Sequence, residues 1–179
     1  MRETMLDGAL RWCAATLGPV SVASDHSKTH GDHESTTCRI QTRAGFCYLK
    51  IHQSAAHWQN EVHAYERWAG VFGRHAPQLL AAHADAPLAL VVTEVPGRTM
   101  EYADLPLAVE LAAWRAAGAA LAPLHTLATG HCFGPCRRDG SCAEDWPRDA
   151  RDCMALRLER LVARALQGGY INDTELTAV

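Results

Sequence analysis

Apolar positions recur every three or four residues along the opening "ETMLDGALRWCAATL", where Met5, Leu6, Ala9, Leu10, Cys13 and Leu17 fall together and Gly18-Pro19 follow. This spacing predicts a first helix that stops at the glycine. The pattern then breaks into runs short enough for strands: "PVSVASD", a polar stretch "HSKTHGDHES", and the pair "TTCRIQTR" and "FCYLKIH" joined by "AG". Two β-rich runs around a short glycine-containing link predict a hairpin. Helical spacing returns in "SAAHWQNEVHAYERWAG", with Trp58, Val62, Tyr65 and Ala69 on one face and Gly70 at its end. "PQLLAAH" and "LALVVTEV", parted by "ADAP", predict a second hairpin. Past "EVPGRT" the chain becomes Ala- and Leu-rich. Leu107, Leu111, Trp114, Leu121 and Leu124 keep near-helical register, and Pro123 should bend the last turns. A Gly/Cys-rich loop, "ATGHCFGPCRRDGSCAEDWP", leads into the amphipathic "RDCMALRLERLVARALQGG" and the tail "YINDTELTAV". The predicted class is α+β. Residues 1–95 form a β-rich lobe with one internal helix, and residues 96–179 a hinge and the beginning of a helical lobe.

At 179 residues and 48% hydrophobic content the chain can bury one good core. A net charge of −3 and the lack of any Lys/Arg block argue against a nucleic-acid or anionic-membrane surface. The N-terminal stretch carries charges where a secretion signal would be apolar. The longest apolar run, "APLALVVTEVP", falls short of the roughly 20 residues that span a bilayer. No membrane or nucleic-acid partner is expected, and the location expected is cytoplasmic. Seven cysteines cannot all pair within the chain, so reduced thiols are the simpler expectation.

Among 17 Lys and Arg residues only Lys28 and Lys50 are lysines. Positive charge is otherwise supplied by arginine, so Lys50, near the middle of the apolar "GFCYLKIH", marks either a guarded strand edge or a place that needs a compact ammonium on a flexible stem. On a strand Phe46, Tyr48 and Lys50 share one face and Cys47, Leu49 and Ile51 the other. The second set is expected to pack under the helix that follows. In that helix Glu61 borders the buried stripe one turn from Trp58 and Tyr65, and a carboxylate so placed needs a cation. Lys50 is the nearest candidate partner for Glu61, and Glu66 is a rival for Lys50.

The ordered set "YLKI", "NEVHAYERW", "PQLLAAH", "LALVVTEVPGRT" and "LAPLHTL" resembles the aminoglycoside phosphotransferase family of protein-kinase-like enzymes, from about Ser21 to Leu161. The resemblance implies a kinase-like N-lobe, an antiparallel sheet with one internal helix, followed by an incomplete helical C-lobe. It further implies that Lys50 binds the α- and β-phosphates of ATP and that Glu61 holds Lys50 in place. Tyr48 would stack on adenine and Val92 would guard the pocket. The Thr93 carbonyl would accept from the adenine amine, the Val95 N–H would donate to the ring, and Ser35 with nearby amides would cover the phosphates. The implied cosubstrate is ATP with Mg²⁺, acting with a small-molecule hydroxyl acceptor that the sequence does not name.

Several other clusters compete for attention. His30-Gly31-Asp32 spells the family's catalytic triplet but precedes the lysine strand, so it reads as coincidence. His131, Cys132, Cys136 and Cys142 have zinc-compatible types without a firm Cys-x2-Cys knuckle, and His26, His30 and His33 sit in a polar loop; no metal site is assigned to either. His125 matches a helix-ending Leu-His that packs in the family. The family's catalytic Asp, metal-binding Asn and second metal-binding Asp have no counterpart in register here, and Asn172-Asp173 lacks the preceding context. The expectation is therefore an ATP-dependent phosphotransferase truncated before its catalytic loop. The alternatives are a non-catalytic nucleotide-binding or regulatory module, one half of a split kinase completed by a separate C-terminal polypeptide, or a zinc-bound interaction domain.

Overall fold

A computed structural model describes residues 2–27, 35–97, 100, 104–127, 134–142, 146–147 and 149–168. Helix α1 (Arg2–Leu17) precedes strands β1 (Ser21–Asp25), β2 (Ser35–Thr42) and β3 (Gly45–His52). Helix α2 (Ala55–Arg67) and a 3-10 segment (Ala69–His75) lead to β4 (Leu79–His83) and β5 (Ala89–Thr93). Helix α3 (Leu107–Leu121) runs into a 3-10 turn (Ala122–Thr126), and α4 (Ala150–Gln167) comes last. The chain forms two compact units, Met1–Thr129 and Gly130–Val179.

In the first unit the five strands make one antiparallel sheet in the order β1-β2-β3-β5-β4. The β2–β3 hairpin turns at Arg43-Ala44, one residue before the expected link, with Thr42 opposite Gly45. Gly45 takes a φ of 122°, open to glycine and costly for other residues, and this places the turn. Pro123 sits in the 3-10 turn after α3, where the helix was expected to bend.

Each face of the sheet has its own apolar cluster. Cys38, Ile40, Cys47, Leu49, Ile51, Ala89 and Val91 pack under α1 through Ala9 and Cys13. Leu90 and Val92 on the opposite face pack under α2 through Trp58 and Val62. This corrects the expectation that Cys47, Leu49 and Ile51 lie beneath α2: the N-terminal helix covers them instead. The period of two that separates the faces was right, but which helix takes which face is a long-range choice. The consequence is functional, because α2 now shares the face of Lys50 and Glu61 can reach it.

α3 buries none of its residues, leaving Leu107 and Trp114 69% and 61% exposed. The stretch Leu107–Thr126, with Glu110 and Arg115 in it, is long and apolar enough by length and composition to cross a membrane, at a mean hydropathy of 1.3. The choice of "APLALVVTEVP" as the longest apolar run missed it, since its apolar character comes from alanines spread between the larger side chains.

The second unit holds a tight loop and α4. Cys136 and Cys142 bridge across the loop in antiparallel sense. Asp149 caps α4 by accepting from the Arg151 N–H at 2.8 Å and the Asp152 N–H at 3.4 Å. The Trp146 ring lies against Gly134, where an added Cβ would come within 2.5 Å of it, and the guanidinium groups of Arg157 and Arg160 sit 5.8 and 5.2 Å from that ring. Arg98, Thr99, His30, Asp32, His33, His131, Cys132, Asn172 and Asp173 lie outside the described residues.

Candidate active site

Lys50 stands in the middle of β3 because the strand's register places it opposite Thr37 on one side and Leu90 on the other. Its neighbours on that face are Phe46, Tyr48 and His52 along the strand and Val92 across it. Ser54 starts α2 two residues after β3 ends, with its Oγ accepting from the His57 N–H at 3.4 Å. Trp58 pins the helix down by donating Nε1–H to the Ala89 carbonyl at 2.9 Å. One turn later Glu61 arrives above Lys50.

The Lys50 ammonium donates to Glu61 Oε1, with both side chains about three-quarters buried. The second carboxylate oxygen, Oε2, lies 3.1 Å from Nε2 of His52, which is buried. That contact is close without an aligned hydrogen bond, so His52 Nε2 has no geometrically satisfied partner. Burial alone would push the Glu61 carboxyl up; His52 and Lys50 more than offset it and hold the group below its ordinary value of 4.5. Tyr65, one turn along α2, is pushed up to about 12 by burial and by the Glu61 charge. The site is thus a buried-edge carboxylate fixing a single ammonium, with Glu61 and not Glu66 standing as the ion-pair partner seen at Lys50.

A second ion pair flanks it. Arg39, opposite Tyr48 on β2, donates Nε–H and Nη2–H to the two oxygens of Glu94 at 2.8 and 2.9 Å. The Tyr48 hydroxyl reaches the same carboxylate at 3.5 Å, and the Arg39 guanidinium stacks 3.5 Å from the Phe46 ring centre. The hydrogen bond from Arg39 holds the Glu94 carboxyl below its ordinary range. Glu94 directly follows β5, so the pair ties β2 to the segment that leaves the sheet. His26 closes the far side of Tyr48, edge-on at 5.6 Å.

The remaining expected residues fall around this face unevenly. Val92 is buried on the Lys50 side of β5. Thr93 points to the α1 side, its N–H donating to Gln78 O at 2.9 Å and its hydroxyl accepting from Gln78 N at 2.9 Å. Val95 is exposed beyond the strand. Ser35 begins β2 opposite His52, at the same end of the sheet as Lys50. Sequence reasoning missed His52, although it lies two residues after Lys50 and the strand period alone puts it on that face. It also missed Arg39 and Glu94, whose separation along the chain leaves no local signal.

A kinase-like lysine on the third strand, tied to a glutamate on the next helix, is the geometry expected of a nucleotide-phosphate clamp. The model of the phosphotransferase enzyme family, APH, matches residues 26–174. The chain belongs to that family. No curated protein and no solved structure matches it. Membership makes it a phosphotransferase by kinship, in a family that uses ATP and a divalent metal in general. As to the metal, no three or more His, Cys, Asp or Glu side chains come together among the described residues.

Proposed function

We propose that the Lys50–Glu61 face binds ATP for transfer of its γ-phosphoryl group to a hydroxyl of a small molecule. The observation that carries this reading is the ion pair itself: Glu61, with His52 close to its other oxygen, holds the Lys50 ammonium on the α2 face of the sheet, the face that also carries Tyr48. An ammonium so fixed neutralises phosphate oxygens without losing the freedom of its stem. Tyr48 offers its ring to adenine, with its hydroxyl kept at the Arg39–Glu94 pair. Val92 lines the back of the pocket, the Thr93 carbonyl and Val95 N–H serve the base, and Ser35 lies where the phosphates end. Residues 1–95 act as the nucleotide-holding lobe, and 96–179 as hinge and first part of a helical lobe. We propose a cytoplasmic location, which the reduced thiols expected of seven cysteines support.

A divalent metal, when bound, would supply neutralisation of the charge that develops on the transferred phosphoryl group. Among the described residues no cluster of His, Cys, Asp or Glu stands ready to hold it. We propose that the catalytic base and metal ligands are contributed by a separate polypeptide, this chain serving as one half of a split kinase. α3, and α4 at Met154, Leu158 and Leu161, display apolar side chains, which supports a partner polypeptide that covers them. The acceptor is read as a small molecule because the family is one of small-molecule phosphotransferases.

Calorimetric titration of the purified chain tests the nucleotide site. ATP and ADP should bind and adenosine should bind more weakly. Lys50→Met should weaken ATP about ten-fold or more while changing adenosine less than about two-fold, the scale of a lost charge-assisted hydrogen bond. Equal loss for both ligands in a folded variant would remove Lys50 from the phosphate role. No phosphorylation of an aminoglycoside panel is expected from this chain alone, and acceptor-dependent ADP release that Lys50→Met abolishes would refute the proposed need for further polypeptide.

A further inference from the structure

The cysteines divide sharply by environment. Cys13, Cys38, Cys47 and Cys153 are buried, whereas Cys136 and Cys142 are partly exposed and stand opposite each other across an antiparallel bridge. The Arg137 N–H donates to the Ser141 carbonyl at 2.8 Å, one residue inside the pair. Cys136 and Cys142 are therefore a non-hydrogen-bonded cross-strand pair, the kind in which α-carbons approach to about 4.5 Å and both side chains project to the same side. That spacing falls inside the window of about 4.4–6.8 Å that a disulfide requires.

The ring that a disulfide would close is already built. Gly140 donates its N–H to the Arg137 carbonyl at 2.9 Å and takes a φ of 87°, giving a three-residue turn with a glycine bulge. Asp139 accepts from the Ser141 N–H at 2.9 Å and from its hydroxyl at 2.7 Å. The chain needs no rearrangement of its backbone to bring the two thiols together. We infer that Cys136 and Cys142 form a reversible redox site, a dithiol oxidised to a disulfide by exchange with a low-molecular-weight disulfide of the glutathione class.

The exchange balances in two steps. One cysteine loses its proton and attacks a sulfur of the small disulfide, forming a mixed disulfide and releasing one small thiolate, which takes up that proton. The second cysteine then loses its proton and attacks the protein sulfur of the mixed disulfide, releasing the second small thiol. Two protein thiols are oxidised and one small disulfide is reduced to two thiols. The buried cysteines stay out of reach, and burial pushes the Cys13 thiol up to about 12, with Cys47 beside it adding to the effect.

Arg137 and Arg138 lie between the two cysteines, so trypsin separates them unless a disulfide joins the fragments. The full chain is equilibrated in a mixture of reduced and oxidised glutathione, quenched with acid, alkylated, digested without reductant and read by mass spectrometry. The expected product is a linked pair of peptides joining Cys136 to Cys142, with alkylation of Cys142 falling about ten-fold and recovering on reduction. Cys132→Ser should behave the same. In urea the preference for Cys136 over Cys132 as the partner of Cys142 should fall to near parity. The inference is overturned if Cys142 pairs with Cys132, if only mixed disulfides with glutathione accumulate, or if the preference for Cys136 persists undiminished in urea, which would make sequence proximity and not the fold its cause.

Discussion

Glu61 carries two contacts on two oxygens, and each should be separable. Its carboxyl is held below its ordinary value in the folded chain, so the unfolded chain binds the proton more readily. A group with a depressed folded value contributes stability above its unfolded pKa, and that contribution is lost as pH falls through the folded one. Denaturation followed from pH 7 to 3 should therefore show wild-type stability falling below about pH 4.5. Glu61→Gln should fall less steeply over that window and start about 1–2 kcal/mol lower at neutral pH, since it leaves a largely buried ammonium without its counter-charge. Glu94 and Asp139 are depressed too, so a residual slope is expected in the variant. His52 is the bracing residue. His52→Ala should raise the Glu61 carboxyl pKa measured by carbon NMR, and His52→Gln, which keeps a donor on the strand, should restore part of the difference. An unchanged Glu61 titration in His52→Ala would leave His52 as core packing alone.

At the scale of elements, the sheet is pressed between two helices whose jobs differ. α1 closes the face of Leu49 and Ile51, and α2 closes the face of Leu90 and Val92 while delivering Glu61. Leu49→Ala should cost about 2–5 kcal/mol in urea denaturation, the range for emptying a buried leucine site. In the folded variant it should leave ATP affinity close to wild type, because the cavity opens on the side away from Lys50. Trp58→Phe should cost less, about 1–2 kcal/mol for the lost bond to Ala89 and the smaller ring. It should nevertheless weaken ATP relative to adenosine, since α2 loses the anchor that fixes the height of Glu61. If the two variants exchange these ligand effects, the division of labour between the helices is wrong.

For the whole molecule, burial is concentrated in the sheet and its two covering helices. α3 has no buried residue, and few of α4's side chains are covered apart from Cys153. Local opening is easiest where few apolar contacts must break. Hydrogen exchange should therefore find β2, β3 and β5 amides slowest and α3 amides exchanging orders of magnitude faster. If the proposed partner polypeptide covers α3, adding it should slow α3 while leaving the sheet unchanged. Protection in α3 equal to that of β3 in the isolated chain would show that its apolar face is already covered.

Much of this was legible beforehand because it depends on local rules. The apolar period marked every main helix and strand, and the two faces of "GFCYLKIH" followed from strand geometry alone. The scarcity of lysine singled out Lys50, and a carboxylate on the edge of a buried stripe singled out Glu61. His52 was readable by the same period of two and was overlooked. The match of the family model to residues 26–174 agrees with the ordered set of segments that suggested the family.

What the sequence alone determined, then, is the order and periodicity of the elements and the residue types, Lys50 and Glu61, that pair in the site, since side-chain chemistry and backbone preference act over a few residues. Only the tertiary structure decided which helix covers which face, that Arg39 meets Glu94, and that Cys136 and Cys142 oppose each other across a non-hydrogen-bonded pair. Those outcomes depend on strand register and on packing between distant segments, where burial of apolar area as a whole selects among arrangements that each local pattern permits equally.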